Sequence, residues 1–302
     1  MNIRSYKKED FALILNLLNS NCDYDTFSEE LLHEKLYDDP NWDANNTLVA
    51  TEKNQIIGFL QGVIRDIRGT RYGYIKLMVV HKNWRRQSIA TKLFKTIEDN
   101  FKKMEVENIR IYDSPLNYFM PGVDPRYTEA VCFAEKMGFK HIGEAVNMTV
   151  DLEKSNWETT EDIKNFTKEN IEISRATKND KEELIEFISE EWILWQNELE
   201  LAYKSNPIAI FIARLNGKIK AFSAYNGNNV GTGWFGPMGT HPDLRGNGIG
   251  KVLLYNCLAD IKSSGLTEST IPWVAPISFY SHYADAKISR VFWRYEKLMK
   301  NE

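Results

Sequence analysis

The chain has 302 residues, of which 43% are hydrophobic and 26% charged, values that are ordinary for a globular protein. This length favours two domains of about 150 residues each. A formal net charge of −4 and an isoelectric point near 5.9 argue against binding driven by nucleic-acid phosphates. No apolar run has membrane-spanning length, and the N-terminus MNIRSYKKED lacks a signal-peptide core. We therefore expect a cytoplasmic protein with no nucleic-acid or membrane partner.

Cysteine and histidine usage predicts neither a disulfide framework nor a metal site. Cys22, Cys132 and Cys257 are too few and too scattered for either. Cys132 and Cys257 lie in apolar helical runs, where a small buried hydrophobe is the simpler interpretation. The five histidines form no H-x-x-x-H or similar pair: they are His33, His81, His141, His241 and His282. We expect no metal.

The first half of the chain predicts a strand, two helices and an antiparallel meander of strands, followed by a helix, a strand, a helix and a strand. The third helix places five apolar residues on one face: Ile89, Leu93, Phe94, Ile97 and Phe101. Between the last strands lies a loop, residues 113–127, that is rich in proline and aromatic residues. Loops of this length are often functional, although a packed surface loop without a site is the alternative.

The second half repeats this plan, with a helix predicted over residues 180–195, another near 198–204 and a last strand within 288–295. Residues 153–170 are polar and lack a sustained apolar period, which is typical of a linker with at most one short helix. We therefore predict an N-terminal domain over 1–152, a linker over 153–170 and a C-terminal domain over 171–302.

A glycine-rich turn in the second half predicts a site for phosphate. The stretch Trp234–Gly250 reads WFGPMGTHPDLRGNGIG, and an apolar helical run follows it. Alternate glycines let the backbone approach a ligand, and the first turn of a helix offers unpaired N–H groups. The dinucleotide fingerprint would need glycine at Lys251, and the nucleotide-triphosphate loop would need Ser or Thr at Val252, so both fail. A glycine-rich turn with no ligand remains the alternative for this motif in isolation.

The same module occurs earlier in the chain. Five pairs of positions share a spacing of 160 residues: His81 and His241, Arg85 and Arg245, Ser88 and Gly248, Ile89 and Ile249, and Ala90 and Gly250. Ile3 and Asp10 also match Ile173 and Asp180, and Phe133 matches Phe279. So long a period predicts two homologous domains, since the repeats of a solenoid are far shorter.

The pattern R-x-x-G-x-G at Arg245, Gly248 and Gly250 resembles the acyl-CoA pyrophosphate loop of the GCN5-related N-acetyltransferase (GNAT) superfamily. The order of elements in both halves is similar to that of GNAT enzymes, so the whole chain resembles a tandem-GNAT protein. The resemblance implies an α/β fold in which each domain has a mixed, mainly antiparallel central sheet flanked by helices.

The resemblance also implies which residues hold acetyl-CoA. Backbone amides of the glycine loop would bind the pyrophosphate, and the central strand would bind pantetheine. One amide of that strand, at Met238 or Gly239, would stabilise the oxyanion. The implied coenzyme-binding residues are Met238, Gly239, Thr240, Arg245, Gly246, Asn247, Gly248, Ile249, Gly250 and Lys251.

A tyrosine in the family pattern F-Y-x-x-x-G would protonate the leaving thiolate. Phe279-Tyr280 fits that pattern, with Ala284 in place of the glycine, so Tyr280 is the candidate general acid. A half-buried aromatic with a structural hydroxyl is the alternative. Ala134 holds the equivalent position of the first half. We therefore expect the C-terminal half to be catalytic, and the degenerate N-terminal half to bind CoA without turnover or to serve as a scaffold.

The base that takes the proton of the acceptor amine is not defined by any motif. Four titratable residues lie near the predicted site in sequence, each of which is also explained as a solvated or turn residue: Glu190, Glu191, His241 and His282. Four tryptophans could line an acceptor pocket or could pack in the core: Trp192, Trp195, Trp234 and Trp273.

The predicted function is transfer of an acetyl group from acetyl-CoA to a primary amine of a small molecule or peptide. Direct attack in a ternary complex would need neither a covalent enzyme intermediate nor a metal. A non-catalytic acyl-CoA-binding protein or sensor is the alternative. A tandem-GNAT peptidyl transferase that uses aminoacyl-tRNA is a third, disfavoured by the acidic charge.

Overall fold

The structure is a computed structural model that describes residues 1–53 and 55–299. Asn54, part of the predicted turn Lys53-Asn54, lies outside the described residues. The chain divides into two compact units. One comprises Met1–Ala145 with Val291–Glu302, and the other comprises Val146–Arg290.

The first unit is a mainly antiparallel sheet with helices on both faces. Strands β1 to β4 pair in sequence order as antiparallel neighbours, and β5 joins β4 in parallel. In chain order its elements are β1 (Asn2–Ser5), α1 (Phe11–Asn21), α2 (Glu29–Tyr37), β2 (Thr47–Glu52), β3 (Gln55–Ile67), β4 (Thr70–Val80), α3 (Ile89–Lys103), β5 (Asn108–Ile111) and α4 (Thr128–Lys136).

Successive side chains along the strands point to opposite faces of this sheet, so a hydrophobic core forms on each face. Leu48 packs with α3, whereas its neighbour Val49 packs with α1 and α2. The five residues predicted to face inward from α3 are all buried. Periodicity therefore predicted this helix and its buried face.

Strand β4 carries a buried lysine where its register shifts. Leu77 pairs with Gln61 and Ile75 pairs with Gly62, so Lys76 has no opposite residue on β3. The Lys76 side chain is fully buried, and its Nζ lies 2.5 Å from Asp39 Oδ2. It also donates to the carbonyl of Lys35 at 2.6 Å and to Asn117 Oδ1 at 2.7 Å.

The charges around Lys76 are compensated within the unit. Arg65 Nη2 contacts the same Asp39 carboxylate at 2.7 Å. Burial lowers the pKa of Lys76 to about 7, an effect that the Asp39 carboxylate opposes. The buried charges of Lys76 and Arg65 are therefore balanced by Asp39 within the first unit.

The second unit follows the same plan. In chain order the next elements are β6 (Lys140–Asp151), α5 (Thr160–Lys168), β7 (Ile171–Arg175), α6 (Lys181–Ser189), α7 (Gln196–Lys204), β8 (Ile210–Leu215), β9 (Lys218–Tyr225), β10 (Phe235–Thr240), α8 (Ile249–Ser263), β11 (Glu268–Ile271), α9 (Ile277–Ala284) and β12 (Lys287–Leu298). Strands β7 to β10 form an antiparallel sheet. The predicted α/β fold, with mainly antiparallel sheets and flanking helices in two repeats, is confirmed.

Two segments differ from their predictions. The helix predicted over 180–195 ends at Ser189, and a short 3-10 turn, Ile193–Trp195, precedes α7. Residues 153–170 are not an open linker, because Trp157 is 4% exposed and packs in the core of the second unit. The same segment contains α5, whose partly buried Ile163 and Phe166 contact that core.

The last strand of each half leaves its own unit. Strand β6 enters the second unit at Val146, where Met148–Asp151 pairs with β11. Strand β12 enters the first unit at Val291, where Glu296–Leu298 pairs with β5. The compact units thus exchange their closing strands, whereas the sequence predicted that each half would keep its own.

Removal of the Lys76 charge tests the importance of the buried ion pairs. We expect Lys76→Met to lower the free energy of unfolding of the first unit by about 3 kcal/mol, because Asp39 and the Lys35 carbonyl lose a buried partner. Urea unfolding of both proteins measures the difference. Lys92→Met, on the exposed side of α3, is the matched control and should change stability by less than about 0.5 kcal/mol. Equal effects of the two substitutions would show that the pairs contribute nothing.

Candidate active site

The turn before α8 is built by side chains that bond back to the main chain. His241 Nδ1 accepts from the N–H of Asp243 at 3.2 Å, at the start of a 3-10 turn over Pro242–Leu244. Arg245 Nε donates to the carbonyl of Thr240 at 2.9 Å. Arg245 therefore fixes the loop to the end of β10.

Two glycines then take left-handed conformations, Gly246 with φ +82° and Gly248 with φ +83°. A side chain would be strained at either position. Among the described residues, the backbone N–H groups from Gly246 to Lys251 have no hydrogen-bond partner. We call these six amides the cradle. Gly246 and Asn247 are exposed, so the cradle can accept an anion such as a pyrophosphate.

Helix α9 packs against the cradle and the central strand. A Cβ at Gly250 would lie 3.3 Å from the Phe279 ring and 3.6 Å from Met238, which explains why a residue without a side chain occurs there. The Tyr280 ring lies 6.0 Å from that of Phe235 on β10. The structure therefore brings Tyr280, the central strand and the cradle together.

Strand β10 has an irregular register at the predicted pantetheine position. Its pairing with β9 shifts between Phe235 and Met238. Beyond the shift, the N–H of His241 donates to the carbonyl of Lys220 on β9 at 2.8 Å. Because successive residues of a strand point their N–H groups to opposite sides, the amide of Met238 points away from β9, and that of Gly239 points towards it.

In the described part of the chain, Thr270 of β11 forms a single parallel bridge with Trp234, the residue before β10. Within residues 1–53 and 55–299, β10 itself pairs with β9 and not with β11. We call the unpaired stretch between Met238–Thr240 and the residues after Ile271 the slot. The Met238 amide faces the slot, so it is better placed than Gly239 to meet an oxyanion.

Tyr280 is a buried phenol whose proton is firmly held. Its side chain is 7% exposed, and burial raises its pKa above the ordinary tyrosine value. No charged neighbour contributes to that shift. At neutral pH the hydroxyl is therefore a neutral donor, the form that a general acid requires.

Helix α5 lies beside the cradle, which its sequence did not predict. Lys251 Nζ in the first turn of α8 contacts Asp162 Oδ2 at 2.9 Å. The Phe166 ring lies 3.9 Å from a Cβ placed at Gly248. The i, i+3 spacing of Ile163 and Phe166 was the one available signal that this segment packs on the domain.

The four titratable candidates for the base divide into turn and surface residues. His241 serves the turn described above and lies 3.0 Å from Asp243 Oδ2. Glu190, Glu191 and His282 are exposed. Each of the four is therefore explained as a turn residue or a solvated surface residue. Of the tryptophans, Trp234 is buried, whereas Trp192, Trp195 and Trp273 are partly exposed.

The N-terminal copy of the loop keeps the same backbone. Arg86 and Ser88 both have φ +62°, and Arg85 Nε donates to the carbonyl of Val80 at 3.3 Å. Within the described residues, the N–H groups of Arg86–Thr91 likewise have no partner. The loop geometry has thus been retained without glycine.

The strand opening of the N-terminal copy is filled by a side chain. The Tyr112 hydroxyl donates at 3.3 Å to the carbonyl of Met78, the residue equivalent to Met238. Pro272 stands at the position equivalent to Tyr112 in the second copy. Ala134, equivalent to Tyr280, is fully buried and carries no acid. The two copies therefore share a loop but differ where the thioester would lie.

Among residues 1–53 and 55–299, no three His, Cys, Asp or Glu side chains are grouped so that they could hold a metal ion. No helix in this part of the chain is long and apolar enough to cross a membrane.

Comparison with known proteins gives the same fold over the whole chain. A glucosamine N-acetyltransferase region of a fungal multi-domain β-N-acetylglucosaminidase has a TM-score of 0.82 at 18% identity and covers 98% of this chain. This chain spans only 38% of that protein. A GCN5-related N-acetyltransferase from Sphaerobacter thermophilus has a TM-score of 0.70 at 16% identity, with 99% of this chain and 96% of that one covered.

A third solved structure has two domains of the same kind. A tandem GNAT protein from the clavulanic acid biosynthesis pathway has a TM-score of 0.72 at 11% identity and covers 100% of this chain and 99% of that one. At these identities the structures show the fold alone. No curated protein matches the sequence.

The family itself is shown by sequence. The profile of the Acetyltransferase (GNAT) family matches residues 15–139 and again residues 170–281. The two matches contain the two loops, Arg85–Ala90 and Arg245–Gly250, and the second contains Tyr280. The chain is therefore a tandem member of the acetyltransferase (GNAT) family, a family of acyl-CoA-dependent N-acyltransferases.

Proposed function

We propose that the C-terminal half transfers an acetyl group from acetyl-CoA to a primary amine by direct attack in a ternary complex. The observation that supports this proposal is the row of amides from Gly246 to Lys251 without partners among the described residues, against which Phe279 packs at Gly250, with the neutral, buried Tyr280 next to Phe279 on α9. We infer that the homologous halves are residues 1–152 and 171–302, connected by residues 153–170, which pack on the second unit.

The cradle would hold the pyrophosphate of the coenzyme. Six amides at a helix N-terminus suit a doubly charged group, and the left-handed glycines leave its approach open. Arg245 acts by fixing the loop, since its Nε bonds to Thr240. Lys251 is already paired with Asp162, so a phosphate would compete with that carboxylate or share the lysine with it.

The reaction would occur at the slot. The amine nitrogen forms a bond to the acyl carbon while the carbon–sulfur bond breaks, and the oxyanion formed on the way is stabilised by the amide of Met238. The leaving sulfur takes a proton from Tyr280, the amine gives up a proton to solvent, and solvent returns a proton to the Tyr280 phenolate. The products are an N-acetyl amide and the CoA thiol.

The N-terminal half would not catalyse transfer. Tyr112 occupies the opening beside Met78, and Ala134 supplies no proton. Its loop retains the backbone of a cradle, so any binding of CoA there would engage the phosphates without admitting pantetheine to the strands.

Thiol release from acetyl-CoA with a panel of amines tests the activity. The panel contains amino acids, peptides, arylalkylamines and glucosamine. Glucosamine is included because the fungal protein of similar fold has a glucosamine N-acetyltransferase region. We expect acceptor-dependent thiol release. Stoichiometric CoA binding without release for every amine would instead support a non-catalytic binding protein.

The role of Tyr280 is tested by removal of its hydroxyl. We expect Tyr280→Phe to lower kcat about 100-fold with little change in the Kd of CoA, because the leaving thiolate loses its proton donor. Tyr203→Phe is the matched control: it removes another buried phenol hydroxyl of the second unit, one without a partner among the described residues. Its kcat should stay within twofold of the wild type.

The dependence of kcat on pH is a second test of the role of Tyr280. Burial raises the pKa of Tyr280, so its acid form persists above pH 10, where an ordinary tyrosine ionises. We expect no fall of wild-type kcat from this group up to about pH 10. An alkaline fall between about pH 8 and 9 that disappears in Tyr280→Phe would contradict the assignment.

A pair of charge substitutions tests which half holds the coenzyme. We expect Gly248→Glu to weaken CoA binding more than 100-fold, because a carboxylate is placed beside the pyrophosphate and a side chain is forced into a left-handed position. Ser88→Glu should change the Kd by less than about threefold. Isothermal titration calorimetry measures both.

Neutral substitutions at the same positions serve as controls. Gly248→Asn and Ser88→Asn add a side chain that tolerates the left-handed region, so both should retain most CoA binding. Thermal unfolding establishes that each variant is folded. Equal losses in the two glutamate variants would mean that both halves bind CoA.

A further inference from the structure

A cluster of apolar side chains is exposed between α6 and α7, within residues 190–195 of sequence EEWILW. Ile193 is 51% exposed and Leu194 is 37% exposed. The neighbouring Trp192 and Trp195, which we call the indole pair, are partly exposed. Four consecutive apolar residues that all reach the surface mark a contact site more often than they serve the core.

The indole pair has a defined geometry. The two rings are stacked, with centroids 5.7 Å apart and planes 10° from parallel. Both rest on Phe222 of β9, at 6.3 Å and 6.1 Å between ring centroids. Phe222 is fully buried, so the pair stands on a rigid base and presents a preformed aromatic surface.

This surface adjoins the strand at which the reaction is proposed. A Cβ at Gly239 would lie 3.2 Å from the Trp192 ring, so Trp192 covers Gly239 directly. Met238 precedes Gly239 and packs on the opposite face, near Gly250 of α8. A molecule that rests on the indole pair would therefore reach the Met238 amide from the face opposite α8.

The charges around the pair are negative. Glu190 and Glu191 are exposed and immediately precede Trp192. Carboxylates therefore occur at the outer edge of the pair. Such an arrangement attracts a cationic amine.

From these contacts we propose that the indole pair is the acceptor subsite, and that the acceptor is a small primary amine with a flat, apolar body, such as an arylalkylamine. The body stacks on the exposed indole faces, while the ammonium is drawn in by Glu190 and Glu191 and loses a proton to solvent before attack. This inference rests on the proposed function, because it places the amine beside the Met238 amide.

Titration of amines into the full-length protein tests the subsite without turnover. The probes are 2-phenylethylamine, ethanolamine and glucosamine, each added with and without saturating CoA. We expect 2-phenylethylamine to bind at least tenfold more tightly than either of the others. Tighter binding of glucosamine would overturn the inference.

Variants locate the binding surface. Trp195→Ala should raise the Kd of 2-phenylethylamine about tenfold, and Trp195→Phe, which keeps an aromatic ring, should restore most of that loss. Leu13→Ala removes an apolar side chain that is 52% exposed on α1 of the first unit, and should change nothing. If Trp195→Ala bound 2-phenylethylamine as tightly as the wild type, the inference would be wrong.

Variants that remove charge separate the electrostatic attraction of the ammonium from the stacking of the aromatic ring. Glu190→Gln with Glu191→Gln should raise the Kd of 2-phenylethylamine about threefold at low salt and less at high salt, and the matched Glu182→Gln on α6 should have no effect. If the Kd of 2-phenylethylamine for the wild type did not change when the salt concentration was raised, the role of the carboxylates would be overturned.

Measurements of CoA binding and thiol release on the same variants distinguish failure of the acceptor subsite from failure of the proposed acetyl transfer. The Kd of CoA should be unchanged in all these variants, because none touches the cradle. If amines bound as expected but no thiol were released, the proposed function would fail and the subsite would stand. If thiol were released equally by Trp195→Ala at every concentration of 2-phenylethylamine, the subsite would fail and the proposed function would stand.

Discussion

The candidate site in the second unit depends on six backbone amides, Gly246–Lys251, that have no partner within residues 1–53 and 55–299. They stay open because Gly246 and Gly248 adopt left-handed conformations that turn the chain into α8. Arg245 holds the loop to β10, and Gly250 lets Phe279 approach closely enough to place Tyr280 beside the same strand. Tyr280, the strand and the cradle are therefore positioned by one short segment, so that an obstruction there would displace all three.

Comparison of the two copies separates what the fold needs from what the chemistry needs. Both loops have the same backbone, and each arginine bonds to the end of the preceding strand. The differences are in the side chains that face the strands. Lys76, buried in an ion pair, stands where Gly236 has open space around it, and Tyr112 fills the opening where the second copy has Pro272.

Local patterns explain how much the sequence predicted. The apolar period of α3 and the alternate glycines before α8 are properties of short segments, so the helices, the repeat and the loop could be predicted. The exchange of β6 and β12 could not, because the residues of a strand do not specify which sheet edge it joins. The packing of Phe166 beside Gly248 depends on tertiary contacts of α5, which its polar sequence hides. The choice of Met238 over Gly239 depends on the register of β10.

Amide hydrogen exchange, measured with and without CoA, reports on the backbone donors of the cradle themselves and so tests whether they bind the coenzyme. We predict that CoA slows exchange at the amides of Gly246–Lys251 and at Met238, where hydrogen bonds to the ligand would replace those to water. Slowed exchange confined to Arg86–Thr91, or no change at either loop, would contradict it.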